Sequence, residues 1–323
     1  MRIRWKRVLL LAVATGLLLL VLRGVLLARR APPSEAEKRP DVSISVYDHR
    51  EEQLMTMPLE AYITGVTAAE MPISFPLEAR KAQAVAARTY TIHHALHGGC
   101  RSQNADVCTS SACCQAYRSD EQLRENWGDD YETHIASARR ATSETAGEVL
   151  LYDGEPIEAL YHSASGGQTE NVEDVYGNPL PYLRAVMSTA EAGTPRLTGQ
   201  KTLSRAAFCE KVNARFPEAK LTKKRLEQQV EILETTDSGR VKRIKLGGAT
   251  ATGRQMRSLL SLDSALFTIS FSKDEVTFAT KGVGHGVGLS QTGANVMAMG
   301  GADYRAILTY YYTDVAIGRM ERK

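Results

Sequence analysis

The hydrophobic pattern changes period several times along the chain, and each change marks an element. Basic residues Arg2, Arg4, Lys6 and Arg7 precede the stretch Val8–Ala28, whose 21 residues carry one charge, Arg23. At about 1.5 Å per residue that length matches a hydrocarbon core about 30 Å thick, and Arg23 lies close enough to the end to snorkel. The basic residues ahead of it predict a cytoplasmic N-terminus, a single-pass cell-membrane span and an outer location for the remainder. No A-x-A-like cleavage site closes the apolar run before Arg29 and Arg30, so an uncleaved anchor is expected rather than a signal peptide. Residues 31–41, rich in Pro, Glu and Lys, read as a tether.

From Val42 the period is two, and VSISVY reads as a half-buried strand. In PLEAYITGV the period lengthens: Leu59, Tyr62, Ile63 and Val66 fall at i, i+3, i+4 and i+7, predicting a helix that starts after Pro58 and stops before Pro72. Pro76 opens a second helix reaching about Leu96, with Ala79, Ala82, Ala86 and Tyr90 near one face. A Cys-rich loop, 98–117, follows. Glu132–Thr145 is helical in pattern, and GEVLLYDGEPIEALYHSAS alternates around an Asp-Gly turn as a hairpin. Residues 198–243 are polar, with a helical stretch near Leu221–Leu233, and read as a smaller lobe. Strand patterns return at Phe267–Phe271 and Val276–Ala279, and a last helix is expected near Tyr304–Tyr312. The expected fold class is α+β: a mixed helical and antiparallel-strand domain over 42–323 with that smaller lobe, preceded by one transmembrane helix within residues 1–30.

Composition removes alternatives. Hydrophobic residues at 43% and charged residues at 24% of 323 exclude disorder throughout, a fibrous repeat and a polytopic membrane protein. Forty Lys+Arg against 37 Asp+Glu leave +3, too weak and scattered to imply a nucleic-acid partner.

Glu70, in TAAEMP, falls at the expected C-terminus of the first helix, where the negative end of the dipole and apolar neighbours both raise a carboxyl pKa. A carboxylic acid held protonated near neutral pH suits a general acid. Arg88, among small apolar residues in AVAARTY, needs a carboxylate partner. YHSASGGQTE gathers Tyr161, His162, Ser163, Ser165 and a Gly-Gly turn after a strand; adjacent His162 and Ser163 would point to opposite faces, against a Ser-His nucleophile. GVGHGVGLSQTGA lacks the Gly-Lys-Ser/Thr ending of a phosphate loop and would pack His285 against a site. Cys100, Cys108, Cys113 and Cys114 crowd into fifteen residues, leaving disulfides and a zinc site both open.

Taken in order, LEAYITGVTAAEMP, EARKAQAVAARTY, ADVCTSSACCQAY, YHSASGGQTE, GRQMRSLLSL and GHGVGLSQTGA resemble the motif series of the stage II sporulation protein D family, over about 42–315. The resemblance implies a membrane-anchored lytic transglycosylase that cuts peptidoglycan glycan strands to 1,6-anhydro-muramic acid products during forespore engulfment. Glu70 matches the family's catalytic acid, and Arg88, Tyr161 and Ser165 match residues of its groove, with His285 beside them. The resemblance also implies zinc on Cys108 and Cys114 aided by a His before the first Cys. Here CRSQNADVC has no His, so Cys100, Cys113 or His97 would substitute. Partners implied in the same way are glycan strands, the mother-cell engulfing membrane and stage II sporulation proteins P and M. Two rivals are a zinc-dependent wall amidase or peptidase using Cys108, Cys114 and His285, and a non-catalytic glycan-binding scaffold.

Overall fold

The computed structural model describes residues 42–100, 103–188, 191 and 197–319. The Val8–Ala28 span and the 31–41 tether lie outside the described residues, among which no helix is long and apolar enough to cross a membrane. The expected first strand, β1 (Ser43–Asp48), pairs antiparallel with β2 (Gln53–Pro58) and turns Ile44 and Val46 inward. Pro58 then starts α1 (Leu59–Glu70), and Leu59, Tyr62, Ile63 and Val66 are buried as their spacing requires. Met71 is extended ahead of Pro72, which ends the helix at Glu70.

The second helix, α2 (Leu77–Leu96), is buried on two sides. Ala79, Ala82, Val85, Ala86 and Tyr90 join the largest core cluster, while Ala84 and Ala87 join the cluster of β1 and α1. Its small side chains let neighbouring backbones approach on both sides. After it, β3 (Val107–Cys108) adds to β1 in parallel, pulling the Cys-rich loop against the first sheet. α3 (Asp120–Trp127) and α4 (Tyr131–Glu144) follow, closed off by Leu123, Tyr131, Ile135 and Ala138.

The Asp153-Gly154 turn, with φ of 50° and 83°, makes the expected hairpin of β4 (Glu148–Tyr152) and β5 (Glu155–Pro156), but the hairpin stops there. The next strand, β6 (Tyr161–His162), instead waits for β13 (Leu289–Ser290) and pairs with it in parallel. Between them lie α5 (Val172–Tyr176), β7 (Thr198–Ser204), α6 (Arg205–Arg215) and α7 (Leu226–Gln229). Next come β8 (Val230–Thr235), β9 (Val241–Leu246), β10 (Ala249–Ala251), α8 (Gly253–Leu260), β11 (Phe267–Phe271) and β12 (Glu275–Lys281). This stretch carries a hydrophobic cluster of its own, from Phe208 to Phe278.

The helix expected near Leu221–Leu233 is reduced to the single turn of α7. Leu226, Val230 and Leu233 mimic helical spacing, but VEILET also alternates, and pairing of β8 with β9 decides the outcome. Past β13, α9 (Gln291–Met299) begins inside the glycine-rich segment, where no helix was expected, and α10 (Tyr304–Tyr311) and β14 (Ala316–Arg319) complete the chain. The structure is α+β, with mostly antiparallel sheets and, between strands among the described residues, two parallel pairings, β1–β3 and β6–β13.

One glycine controls the β6–β13 junction. Gly288 has φ +72°, and a Cβ there would lie 2.0 Å from the Leu160 carbonyl oxygen, the acceptor of the Leu289 N–H. Gly288→Ala is expected to cost on the order of 1–3 kcal/mol through strain and to loosen Tyr161. Thermal unfolding at the wild-type temperature would contradict this.

Candidate active site

Three segments far apart in sequence meet at Glu70, the last residue of α1. Its Oε1 accepts the backbone N–H of Ala116 at 2.8 Å, from the Cys-rich loop. Its Oε2 accepts from Gln291 Nε2 at 3.2 Å, at the start of α9, and Gln291 donates also to Gln83 Oε1 at 3.2 Å. The Tyr161 hydroxyl lies beside the carboxyl and donates to Gln115 Oε1 at 2.8 Å, while Gln115 Nε2 donates to Thr91 Oγ1 at 2.9 Å. Burial pushes the Glu70 pKa up. The hydrogen bonds from Ala116 and Gln291 pull it down, and burial prevails. Glu70 is thus a carboxyl that keeps its proton to higher pH than an exposed glutamate, a shift in the direction that a general acid needs. Tyr161, its pKa raised far above the usual by burial and then by Glu70, stays a neutral hydroxyl.

Glu70, Tyr161, His285 and Gln291 line one cavity of about 740 Å³. Glu170 and Asp174 also border it. Glu170 is held by the hydroxyls of Thr236 at 2.6 Å and Ser238 at 2.5 Å, and Asp174 pairs with Lys242 at 3.1 Å. Of these three lining carboxyls, Glu70 is the one with no cation within 4.0 Å among the described residues, since Arg240 lies 3.8 Å from Glu170 and Lys242 pairs with Asp174. His285 packs beside His162 and Tyr176, and its Nδ1 accepts the Val287 N–H at 3.1 Å. Burial and then Arg257 pull its pKa down to about 4, so the ring is neutral.

Arg88 and Ser165, expected at the substrate, are placed elsewhere. Arg88 is fully buried, with Nε and Nη2 donating to the two Glu60 oxygens at 2.8 and 2.7 Å and Nη1 to the Glu148 carbonyl at 3.1 Å. It ties α2 to α1 and β4 and does not line the cavity. Ser165 is fully buried too. Its hydroxyl donates to Glu191 Oε1 at 2.8 Å, an oxygen that also accepts from Ser188 and Ser290 at 2.6 Å each. This buried carboxylate pins the Ser165 segment to Ser290, the N-cap of α9, and so helps set Gln291 against Glu70.

The Cys-rich loop folds into a cluster in which the sulfurs of Cys100, Cys108, Cys113 and Cys114 all lie within 4.8 Å of one another. Cys100 and Cys113 are 3.3 Å apart, and Cys113 and Cys114 3.8 Å, well beyond a disulfide bond of about 2.05 Å. A tetrahedral zinc with Zn–S bonds of about 2.3 Å needs sulfurs about 3.8 Å apart, so the donor set fits that metal. Without a cation, burial and neighbouring thiols push Cys108 up to about 11 and Cys114 further. Cys100 and Cys113 fill the places beside Cys108 and Cys114, and His97 instead stacks on His93. His285 stands outside the cluster, so the set of Cys108, Cys114 and His285 expected for a zinc amidase is not assembled. Four thiolates leave no open position for chemistry. What they adjoin matters: Gln115 and Ala116, the next residues, carry the contacts to Tyr161 and Glu70.

Sequence reasoning missed Gln291, Gln115 and Glu191. Gln291 lies in a motif that was singled out, but Ser290 as an N-cap, its hydroxyl accepting the Gly293 N–H at 3.1 Å, was the readable signal.

Comparison with known proteins gives the family. The Stage II sporulation protein (SpoIID) family profile matches residues 47–152. Stage II sporulation protein D of Bacillus subtilis (strain 168) is 35% identical over 289 residues, covering 89% of this chain and 82% of that protein. The protein of the same name from Bacillus amyloliquefaciens is 34% identical, covering 88% and 81%. An amidase enhancer of Bacillus subtilis (strain 168) is 28% identical over 77% of this chain but 39% of its own length. With about a third of positions identical across most of both chains, this chain belongs to the stage II sporulation protein D family.

Proposed function

We propose that the protein is a lytic transglycosylase that cuts peptidoglycan glycan strands, with Glu70 as its acid and then its base. The observation that carries this reading is the raised, neutral-amide-bound carboxyl of Glu70 beside Tyr161 in an open cavity. Ordinary glycosidases need a second carboxylate to attack or to activate water. Here the muramic acid 6-hydroxyl is the nucleophile. Glu70 gives its proton to the glycosidic oxygen as the C1–O bond breaks. The O6–C1 bond forms, and the O6 proton returns to Glu70. The products are a 1,6-anhydro-muramic end and a free 4-hydroxyl, with no water consumed. Gln291 and the Ala116 N–H would hold the carboxyl on the ionised side of the cycle, and Tyr161 would position the sugar. Arg88 and Ser165 act from behind the site, as packing supports.

The setting belongs to the same proposal: sporulation, as the names of the Bacillus relatives say, and within it forespore engulfment, on the outer side of the mother-cell engulfing membrane. Val8–Ala28 would be the single-pass anchor, and stage II sporulation proteins P and M the partners. Cys100, Cys108, Cys113 and Cys114 would hold one zinc that braces the loop behind Glu70 and supplies no acid or nucleophile. Cys108→Ser with Cys114→Ser is expected to lose about one zinc per chain together with thermal stability, read by metal analysis and melting. Metal-free wild-type protein that melts no lower than the metal-loaded form would contradict the bracing role.

The reaction is tested by incubating the full-length protein, in detergent, with purified glycan strands and with intact peptidoglycan. Soluble saccharides are expected from the strands. Release of stem peptides without saccharides would overturn the reading in favour of an amidase.

A further inference from the structure

The cavity that holds Glu70 has a second set of cations that its own carboxylates do not satisfy. Arg240 and Lys242 border it and are matched, Arg240 near Glu170 at 3.8 Å and Lys242 with Asp174 at 3.1 Å. Arg254 and Arg257, both from α8, border it as well. Neither makes an ion pair within 4.0 Å among the described residues. Arg254 is exposed, its guanidinium 4.7 Å from the centre of the Tyr176 ring. Arg257 is half-buried, and its Nε donates at 3.2 Å to the backbone carbonyl of Asp263, not to that residue's carboxylate.

The helix under them is packed in place. Met256 and Leu260 bury one face of α8 in the second core, which turns the i, i+3 pair Arg254 and Arg257 to the cavity side. Gly253 lets the helix start against β9, where a Cβ would lie 2.0 Å from the Val241 carbonyl. The Thr252–Gln255 capping box takes the Gln255 N–H, leaving the first-turn N–H groups of Gly253 and Arg254 over. Gly253 also lines the cavity. Two guanidinium groups, one partly withdrawn from water, and a helix N-terminus thus meet at one wall, next to a neutral His285. In the same wall His162 is buried with Nε2 unpartnered.

We propose that Arg254 and Arg257 form a carboxylate subsite of this cavity, one that takes an acidic substituent of the glycan strand. This rests on the glycan-cleaving reading and adds the chemical class of substrate that reading leaves open. On a strand of alternating N-acetylglucosamine and N-acetylmuramic acid, the one acid carried by the sugars is the lactyl carboxyl of muramic acid. It is free where no peptide is attached. Where a stem peptide is attached, that carboxyl becomes an amide and the acids belong to the peptide. A pair of guanidinium groups recognises either carboxylate through charge-assisted, bidentate hydrogen bonds, which lysine could not reproduce.

Calorimetric binding to full-length Glu70→Gln protein tests this without turnover. The probes are a muramic-acid-containing tetrasaccharide with free lactyl carboxyls, the same tetrasaccharide with those carboxyls as methylamides, a peptide-bearing tetrasaccharide, and a neutral N-acetylglucosamine tetramer. The free acid is expected to bind about 10- to 100-fold more tightly than its methylamide, and Arg254→Gln with Arg257→Gln to erase that ratio. Tightest binding by the peptide-bearing probe, lost in the same variant, would support the subsite with the peptide as the source of the carboxylate. Equal affinity for acid and methylamide in the parent protein, with no tighter binding of the peptide-bearing probe, would overturn the subsite, whatever the variants do. Binding of the neutral tetramer reports separately on the glycan reading: its presence alongside equal affinity for the acid, methylamide and peptide-bearing probes condemns the subsite alone, and failure to bind any saccharide condemns both.

Discussion

Glu70→Gln is expected to give a folded protein that releases saccharide at least about 100-fold, and up to about 10⁴-fold, more slowly than wild type. The amide matches the carboxyl in shape and can still accept the Ala116 N–H, but it can neither donate an acidic proton nor take one back. A second consequence follows from the raised pKa of Glu70. The folded state holds this proton more tightly than the unfolded chain, so the group's favourable contribution is complete below the unfolded pKa and is lost as pH rises through the folded one. Glutamine cannot ionise. Above the folded pKa the variant should therefore melt higher than wild type, and the difference should shrink as pH falls. The wild-type rate should decline over that same window as the acid form is lost, a coincidence that pH–rate profiles and melting curves can check. A folded Glu70→Gln protein working at wild-type rates would remove Glu70 from the chemistry.

Glu60→Ala is expected to be the most destabilising single change away from the cavity, by about 3 kcal/mol. It leaves the Arg88 guanidinium fully buried with only the Glu148 and Thr142 carbonyls as acceptors. Glu60 itself is one-third exposed, so entering water would relieve part of the cost and the lower end of the range applies. Arg88→Met should be destabilising too, and pairing it with Glu60→Ala should recover part of the loss, because no lone buried charge remains. Denaturant unfolding of the three variants gives the coupling. Activity per folded molecule should stay near wild type in Arg88→Met; a stable Arg88→Met protein with little activity would return Arg88 to the substrate.

The helices that build the site were legible because two independent signals agreed. Leu59, Tyr62, Ile63 and Val66 set the period of α1, and Pro58 and Pro72 set its ends, which left Glu70 at the C-terminus. Pro76 and the alanine face did the same for α2. Where two periods coexisted, as in LEQQVEILET, local pattern could not choose, because the decision lay in pairing with β9. The partners of charged residues were illegible for a different reason. Arg88 and Glu60 stand 28 positions apart, and Glu70 and Gln291 are separated by 221. The need of a buried arginine for a carboxylate can be read from its neighbours, but which carboxylate arrives is fixed by helix packing. The cysteines lay between these cases: Cys108 and Cys114 were marked with Cys100, Cys113 or His97 as alternatives beside them, and Cys100 joins them because its N–H bonds to Ala105 and β3 pairs with β1.

Mass spectrometry of the saccharides released from purified glycan strands by the full-length protein tests the central claim most directly. A single-carboxyl reaction through the 6-hydroxyl predicts 1,6-anhydro-muramic ends, each lighter by one water than a reducing end and free of oxygen-18 when the reaction runs in labelled water. Reducing ends carrying the solvent label would show hydrolysis and contradict the assignment of Glu70 to a transglycosylase.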